Sequence, residues 1–143
     1  MADQTTASIE IDATPDDVMA VIADIPAYPQ WVDNLVSATV LSEADGRPDR
    51  VRMVLKHPMI SDDYTLAYTW SDMQVSWKLV EAKVLKAMDG SYTLEEIANG
   101  TRVTYALKVD IKLPMLGALK RKAEKTIIDG ALQGLKKRVE SLG

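Results

Sequence analysis

Hydrophobic residues change their spacing three times along this chain. Over residues 6–12, Ala7, Ile9 and Ile11 alternate with Ser8, Glu10 and Asp12, which predicts a half-buried strand. A helix start follows: Thr14 suits the N-cap, Pro15 the first helical position, and Asp16 and Asp17 the positive end of the helix dipole. Val18, Val21, Ile22 and Ile25 then form the apolar stripe of a short helix that Pro26 and Pro29 stop. The prolines frame Tyr28 and Trp31, and residues 27–35 read as a second short helical turn.

Past Asn34 the period becomes two and predicts strands at 36–43, 50–57, 64–70, 74–81, 84–97 and 101–112. Asp45-Gly46, Ser61-Asp62-Asp63, Ser71-Asp72 and Asn99-Gly100 supply turn chemistry between them, and such short connections force antiparallel neighbours. Asp89-Gly90, inside an otherwise continuous strand, predicts a bulge that bends the sheet. From Met115 the period is helical: Leu116, Leu119, Ala123, Ile127, Ala131, Leu135, Val139 and Leu142 recur every three or four residues. A helix of that span is about 40 Å long. No linker, repeat or low-complexity stretch interrupts the pattern. The expectation is therefore one α+β domain over residues 1–143, a seven-stranded curved antiparallel sheet covered by a long C-terminal helix.

Alternation places Val51, Met53, Leu55, Leu66, Tyr68, Trp70, Val75, Trp77, Leu79, Tyr92, Leu94, Val103, Tyr105, Leu107 and Val109 on one face of the sheet. Opposite them the helix stripe is small at its centre, at Ala123 and Ala131, with Gly130 and Gly134 adjoining. Glycine inside a helix costs roughly 1 kcal/mol relative to alanine, so two on one helix need a reason. Either they let the helix lie tightly on the aromatic rings, or they leave room for a pocket. Ligand sites of roughly 300–1,000 Å³ are usually apolar with a few polar groups. Tyr and Trp suit such a site, each joining an apolar ring to one polar atom. The candidate lining is Trp31, Met53, Leu55, Tyr68, Trp77, Leu79, Tyr92, Tyr105, Leu107, Ala123, Ile127 and Ala131.

A net charge of -4 and a pI near 5.0 argue against a nucleic-acid partner, since phosphate affinity is built from clustered Lys and Arg. The charge is uneven, however: from Met115 onward seven basic residues face three acidic ones, leaving ten basic and eighteen acidic before it. Lys120, Arg121, Lys122 and Lys125 are thus either a solvated helix face or a transient contact for an anionic membrane surface or an acidic carrier protein. Without cysteine and with a single histidine, disulfides, thiol chemistry and the usual zinc ligand sets are excluded. No signal-like segment opens the chain, and none approaches the roughly 20 apolar residues that cross a bilayer, so the expected compartment is the cytoplasm.

His57 shares a strand face with Met53 and Leu55 and has the chemistry of a general base near neutral pH. Its place at a strand end before Pro58 equally fits a solvated, structural histidine. The acidic pairs Asp62-Asp63 and Glu95-Glu96 read as solvated turn or edge charges. With no nucleophile elbow, phosphate loop or dinucleotide motif, no residue is assigned as catalytic and no cofactor is expected.

Several strings resemble the START-like (SRPBCC) superfamily of helix-grip proteins, in particular the bacterial polyketide cyclase/dehydrase and lipid-transport group. They are Ala13-Thr14-Pro15-Asp16-Asp17-Val18, Tyr28-Pro29-Gln30-Trp31-Val32, Asp89-Gly90-Ser91-Tyr92-Thr93-Leu94 and Gly100-Thr101-Arg102-Val103-Thr104-Tyr105. Their order spans nearly the whole chain. The resemblance implies a strand, two short helices, six more strands and a long helix, around a cavity for a lipid, polyketide or quinone-like molecule. It does not imply one reaction. Three readings stay open: a non-catalytic binder or carrier of a hydrophobic small molecule, a cyclase or dehydratase using His57 or a tyrosine, and an interaction module whose cavity is filled by side chains.

Overall fold

The structure, a computed structural model, describes residues 4–58, 60–112 and 116–142. Its elements are β1 (Thr5–Ile11), α1 (Pro15–Ala23), the 3-10 helix η1 (Ile25–Gln30), β2 (Leu35–Ala44), β3 (Arg47–Lys56), β4 (Ser61–Trp70), β5 (Gln74–Glu81), β6 (Leu85–Ile97), β7 (Gly100–Ile111) and α2 (Gly117–Leu142). All seven strands form one antiparallel sheet in the order β1-β7-β6-β5-β4-β3-β2. The sheet is open, with β1 and β2 as its edges, and η1 packs on β2 while α2 lies closest to β1 and β7.

Local chemistry sets the boundaries. Thr14 caps α1 by accepting from the Asp17 N–H at 3.2 Å, with Pro15 next in line. The second turn starts earlier than 27–35, because Pro26 is tolerated at the front of a helix and the chain re-enters helical geometry at once. Strands β2 and β3 run closer to their turn than 36–43 and 50–57, since Asp45 and Gly46 both adopt positive φ in a tight hairpin. Pro48 sits inside β3 where the β2 register is irregular, a position that tolerates its missing N–H.

Three expectations are corrected. The bulge predicted at Asp89-Gly90 is absent from the pairing with β7, where Gly90 stands opposite Leu107 in register; the shift falls between Leu85 and Ala87. Glycine occupies position 90 because a Cβ there would lie 2.7 Å from the Trp77 ring and 2.9 Å from the Ala106 carbonyl oxygen. Second, the buried stripe of α2 is Ala123, Glu124, Ile128, Ala131, Leu132, Leu135 and Val139, with Leu116, Leu119 and Leu142 exposed. Residue 115, read as the helix start, lies outside the described residues. Third, Asp62 is buried: its carboxylate accepts from the backbone N–H groups of Asp63, Lys83, Val84 and Leu85 at 2.7–3.1 Å, tying the β5–β6 turn to β4.

Two contacts fix α2. Glu124, 1% exposed, accepts from the Val109 N–H and from the Thr5 hydroxyl, each at 2.6 Å, which fastens the helix to β7 and β1. Ten residues on, Gly134 rides on the Trp31 backbone, where a Cβ would sit 1.9 Å from the carbonyl oxygen; Gly130 meets nothing closer than Asp33 Oδ2 at 3.5 Å.

The two glycines at the centre of α2, Gly130 and Gly134, should respond to alanine with opposite signs. In thermal or urea unfolding, Gly130→Ala should stabilise by up to about 1 kcal/mol through helix propensity, whereas Gly134→Ala should destabilise by about 2 kcal/mol or more as α2 is forced off Trp31. Equal stabilisation by both would refute the close approach. Burial works against ionisation of Asp62, yet its four backbone donors outweigh it and hold the carboxyl below its usual range. Its stabilisation should be complete above about pH 4 and lost as pH falls through the lowered folded value. Asp62→Asn should cost about 2 kcal/mol at neutral pH and flatten that acid limb; an unchanged acid profile in the variant would assign the limb elsewhere.

Candidate functional site

The inner face of the sheet is built from cross-strand rows. Tyr68, Trp77, Gly90 and Leu107 are successive partners across β4, β5, β6 and β7, and Trp70, Val75, Tyr92 and Tyr105 form the next row. Because Gly90 contributes no side chain, the Trp77 ring settles over it. It then packs against Tyr68, Tyr92 and Tyr105 at centroid separations of 5.6, 5.4 and 5.7 Å, with Tyr92 and Tyr105 4.6 Å apart. Tyr64 joins them from β4 and Tyr28 from η1. All five tyrosines of the chain thereby line one cavity between the sheet and α2, and the chain has no phenylalanine.

This cavity is about 100 Å³ in volume, below the usual range for a bound organic ligand. The sequence predicted a roomier chamber. Its space is taken by the ring cluster and by Met53 and Met88, whose side chains enter it. Thr126, Ile127, Gly130 and Ala131 of α2 form the opposite wall, and the exposed Asp33, Asn34 and Thr126 mark its mouth, where Asp33 comes close to Gly130. The wall is therefore apolar in the middle, with polar groups at its mouth and on the phenol rings.

The hydroxyls divide into two kinds. Tyr28 donates to the Ile22 carbonyl oxygen and is spent on the fold. Among the described residues, the hydroxyls of Tyr64, Tyr68, Tyr92 and Tyr105 make no hydrogen bond to protein. Burial raises the pKa of all four, and crowding by the other phenols or, for Tyr64, by Asp62 adds to it. They stay protonated at any physiological pH and present O–H donors. His57 lies on the same wall and is buried, not solvated as a strand end beside a proline would suggest. Its backbone closes the β3–β4 turn: the His57 N–H donates to the Ile60 carbonyl oxygen and the Ser61 hydroxyl to the His57 carbonyl oxygen, both at 3.1 Å. Desolvation lowers its pKa, so the imidazole is neutral near pH 7 and competent to take a proton.

Of the residues expected at the site, Met53, Leu55, His57, Tyr68, Trp77, Tyr92, Tyr105, Ile127 and Ala131 converge on the cavity. Four lie elsewhere. Trp31 turns behind η1, edge-on to Tyr28 at 4.8 Å, and lines an outer groove with Arg138. Leu79 is half-buried past the last β5–β6 pair, where Asp89 Oδ1 accepts its N–H at 2.9 Å. Leu107 is fully buried opposite Gly90, and Ala123 is buried beside the Glu124 anchor. The lining also contains Tyr28, Val32, Leu35, Tyr64, Leu66, Met88 and Thr126. Alternation marks Tyr64, Leu66 and Met88, which share the inward phase of Tyr68 and Tyr92 in their strands; nothing periodic marks the η1 and loop contributors. Lys120, Arg121 and Lys122 lie on α2 outside the cavity, and Lys125 is paired with Asp129 at 2.8 Å.

The family described as polyketide cyclase/dehydrase and lipid transport matches residues 2–140. A START superfamily protein from Mycobacterium smegmatis is similar in structure, with a TM-score of 0.90 and 21% identity over 98% of this chain and 99% of that one. A structure from Thermus thermophilus superposes with a TM-score of 0.83, again at 21% identity and over the same shares of the two chains. The Zhui aromatase/cyclase from Streptomyces sp. R1128 follows at a TM-score of 0.75 and 14% identity, covering 96% of this chain and 93% of that one. At these identities the likeness establishes the fold. No curated protein matches the sequence.

With a single histidine, the imidazole protons can be followed by NMR without ambiguity. His57 should titrate below its ordinary value of about 6.5. Because the folded value is the lower one, its contribution to stability should be intact above pH ~6.5 and lost as pH falls through the folded pKa. A midpoint at or above the ordinary value would mean that the ring is solvated.

Proposed function

Because the chain belongs to the polyketide cyclase/dehydrase and lipid-transport family, we propose that it binds or carries a hydrophobic small molecule in the chamber between the sheet and α2. The observation that carries this reading is that four tyrosines whose hydroxyls have no hydrogen-bond partner among the described residues line one cavity together with apolar side chains. Four such tyrosines around one space favour a guest with acceptor oxygens on an apolar body: a polyketide, a quinone or a lipid carrying a carbonyl. Such a guest needs more than the resting volume. Met53 and Met88 are the side chains best able to yield, being unbranched and flexible, and Ile127 at the mouth is only half-buried.

One observation favours catalysis as a second reading. His57, neutral near pH 7, stands on the wall that holds the phenols, so a base and several acids face the same guest. A cyclase or dehydratase would use the imidazole to remove a proton beside a carbonyl whose oxygen a tyrosine holds. The two readings part on His57→Ala: a carrier keeps its affinity and shows no turnover to lose, whereas an enzyme keeps affinity and loses turnover.

Native mass spectrometry of gently purified protein should show an organic molecule bound, and 1,4-naphthoquinone should quench tryptophan fluorescence through Trp77. Tyr92→Phe and Tyr105→Phe should each weaken naphthoquinone about five- to tenfold, the worth of one hydrogen bond, with the melting temperature nearly unchanged because neither hydroxyl holds the fold. Ala131→Trp should abolish binding by filling the chamber. An empty protein with no quenching by naphthoquinone would defeat the proposal and favour an interaction module.

A further inference from the structure

The antiparallel order brings the chain start, the start of β2, the β3–β4 turn, the β5–β6 turn and the start of α2 to one end of the sheet. Lys112 ties the end of β7 to the β5–β6 turn there: its ammonium donates to the Ala82 carbonyl oxygen at 3.1 Å, and its N–H to the Val84 carbonyl oxygen. Four residues of chain span at most about 14 Å, so Leu116 lies within that reach of Lys112.

This end is cationic on an acidic protein. Lys56, Lys83, Lys112, Arg121 and Lys122 are exposed there, with Lys120 partly so, and none forms an ion pair among the described residues. Opposing charge at the same end is sparser on the surface: Asp33, Glu81 and Asp110, with Asp62 and Glu124 buried on hydrogen-bond donors and Asp63 paired to Arg52. The other end, at the β2–β3, β4–β5 and β6–β7 turns and α1, exposes Asp45, Asp72, Glu96, Asp16 and Asp17. Apolar side chains are set among the lysines: Leu116 is 74%, Leu119 46% and Val84 42% exposed. Leu119 and Lys122 lie on α2 about two turns and one turn before Thr126 at the cavity mouth.

We propose that this end docks on an anionic lipid bilayer, with Leu116 and Leu119 entering the headgroup boundary and Lys120, Arg121 and Lys122 against the lipid phosphates. The apolar residues decide for a membrane over an acidic protein, because cations alone suffice for carboxylate clusters and isolated exposed leucines gain only where they are removed from water. The net negative charge repels the opposite end, so docking is oriented and presents the mouth side of α2 to the bilayer. Contact is peripheral, since among the described residues no helix is long and apolar enough to cross a membrane. Docking requires no occupant of the chamber.

The test is co-sedimentation of the full chain with vesicles of pure phosphatidylcholine and of phosphatidylcholine containing a quarter phosphatidylglycerol. Binding should require phosphatidylglycerol and vanish in high salt. Each cation is worth about fivefold in partition, so Lys120→Ala/Arg121→Ala/Lys122→Ala should lose on the order of a hundredfold. Leu116→Ser/Leu119→Ser should lose about tenfold or more, with circular dichroism unchanged in both. Equal binding to the two vesicle types, no binding to either, or an unaffected triple variant would overturn the proposal. Capture by soluble polyglutamate without capture by the vesicles would overturn it too, in favour of an acidic protein. Failure of naphthoquinone binding would leave this result untouched, because the vesicles carry no chamber ligand.

Discussion

The chamber depends on where α2 is held. Glu124 ties one stretch of the helix to β7 and β1, and Gly134 lets another stretch ride on the Trp31 backbone. Between these anchors one flank of the helix, Ile128 and Leu132, is buried in the core, and the other, Thr126, Ile127, Gly130 and Ala131, faces open space. The helix thus leans toward the β1 side of the sheet and leaves the inner face of β4 to β6 for the tyrosines. A carboxylate buried at 1% exposure is tolerated because it is hydrogen-bonded on both sides. It also occupies the N–H of Val109, beyond the last described residue pair between β1 and β7 at Thr5 and Leu107. The anchor therefore solves a strand-edge problem and places the helix by the same contact.

What fills the space beneath is decided by one missing side chain. Glycine at position 90 lets the Trp77 indole drop onto the sheet, and the rings of Tyr68, Tyr92 and Tyr105 close around it. In the aromatic floor each ring contacts another, and each belongs to a strand paired on both sides. The methionines and the half-buried Ile127 are the softer part of the wall. The chamber is small, and its methionines are the most adaptable side chains in its wall.

Element order, sheet composition and the long helix were legible because periods of two and of three to four rest on many residues at once. The face assignment for β3 to β7 was legible for the same reason: fifteen inward residues obey one alternation. Single-residue roles were not. Asp62 reads as a turn charge, and only the fold brings three N–H groups of the β5–β6 turn to its carboxylate. The two helix glycines look alike in sequence, yet Gly134 is a point of close approach and Gly130 borders the cavity. Trp31 looks like a pocket aromatic, but the turn after η1 points it outward from the chamber. Each of these depends on contacts between residues far apart in the chain, which periodicity does not encode.

The chemistry of the site is one-sided, and that narrows what it can accept. Tyr64, Tyr68, Tyr92 and Tyr105 are held as neutral phenols by burial, so the wall offers several donors and no buried cation or carboxylate among its rings. A hydrocarbon would leave those donors unmatched, and a charged guest would enter a low-dielectric space without a counter-charge. A neutral body edged with carbonyl oxygens meets neither penalty. His57 adds an acceptor of protons at the β3–β4 end of the same wall.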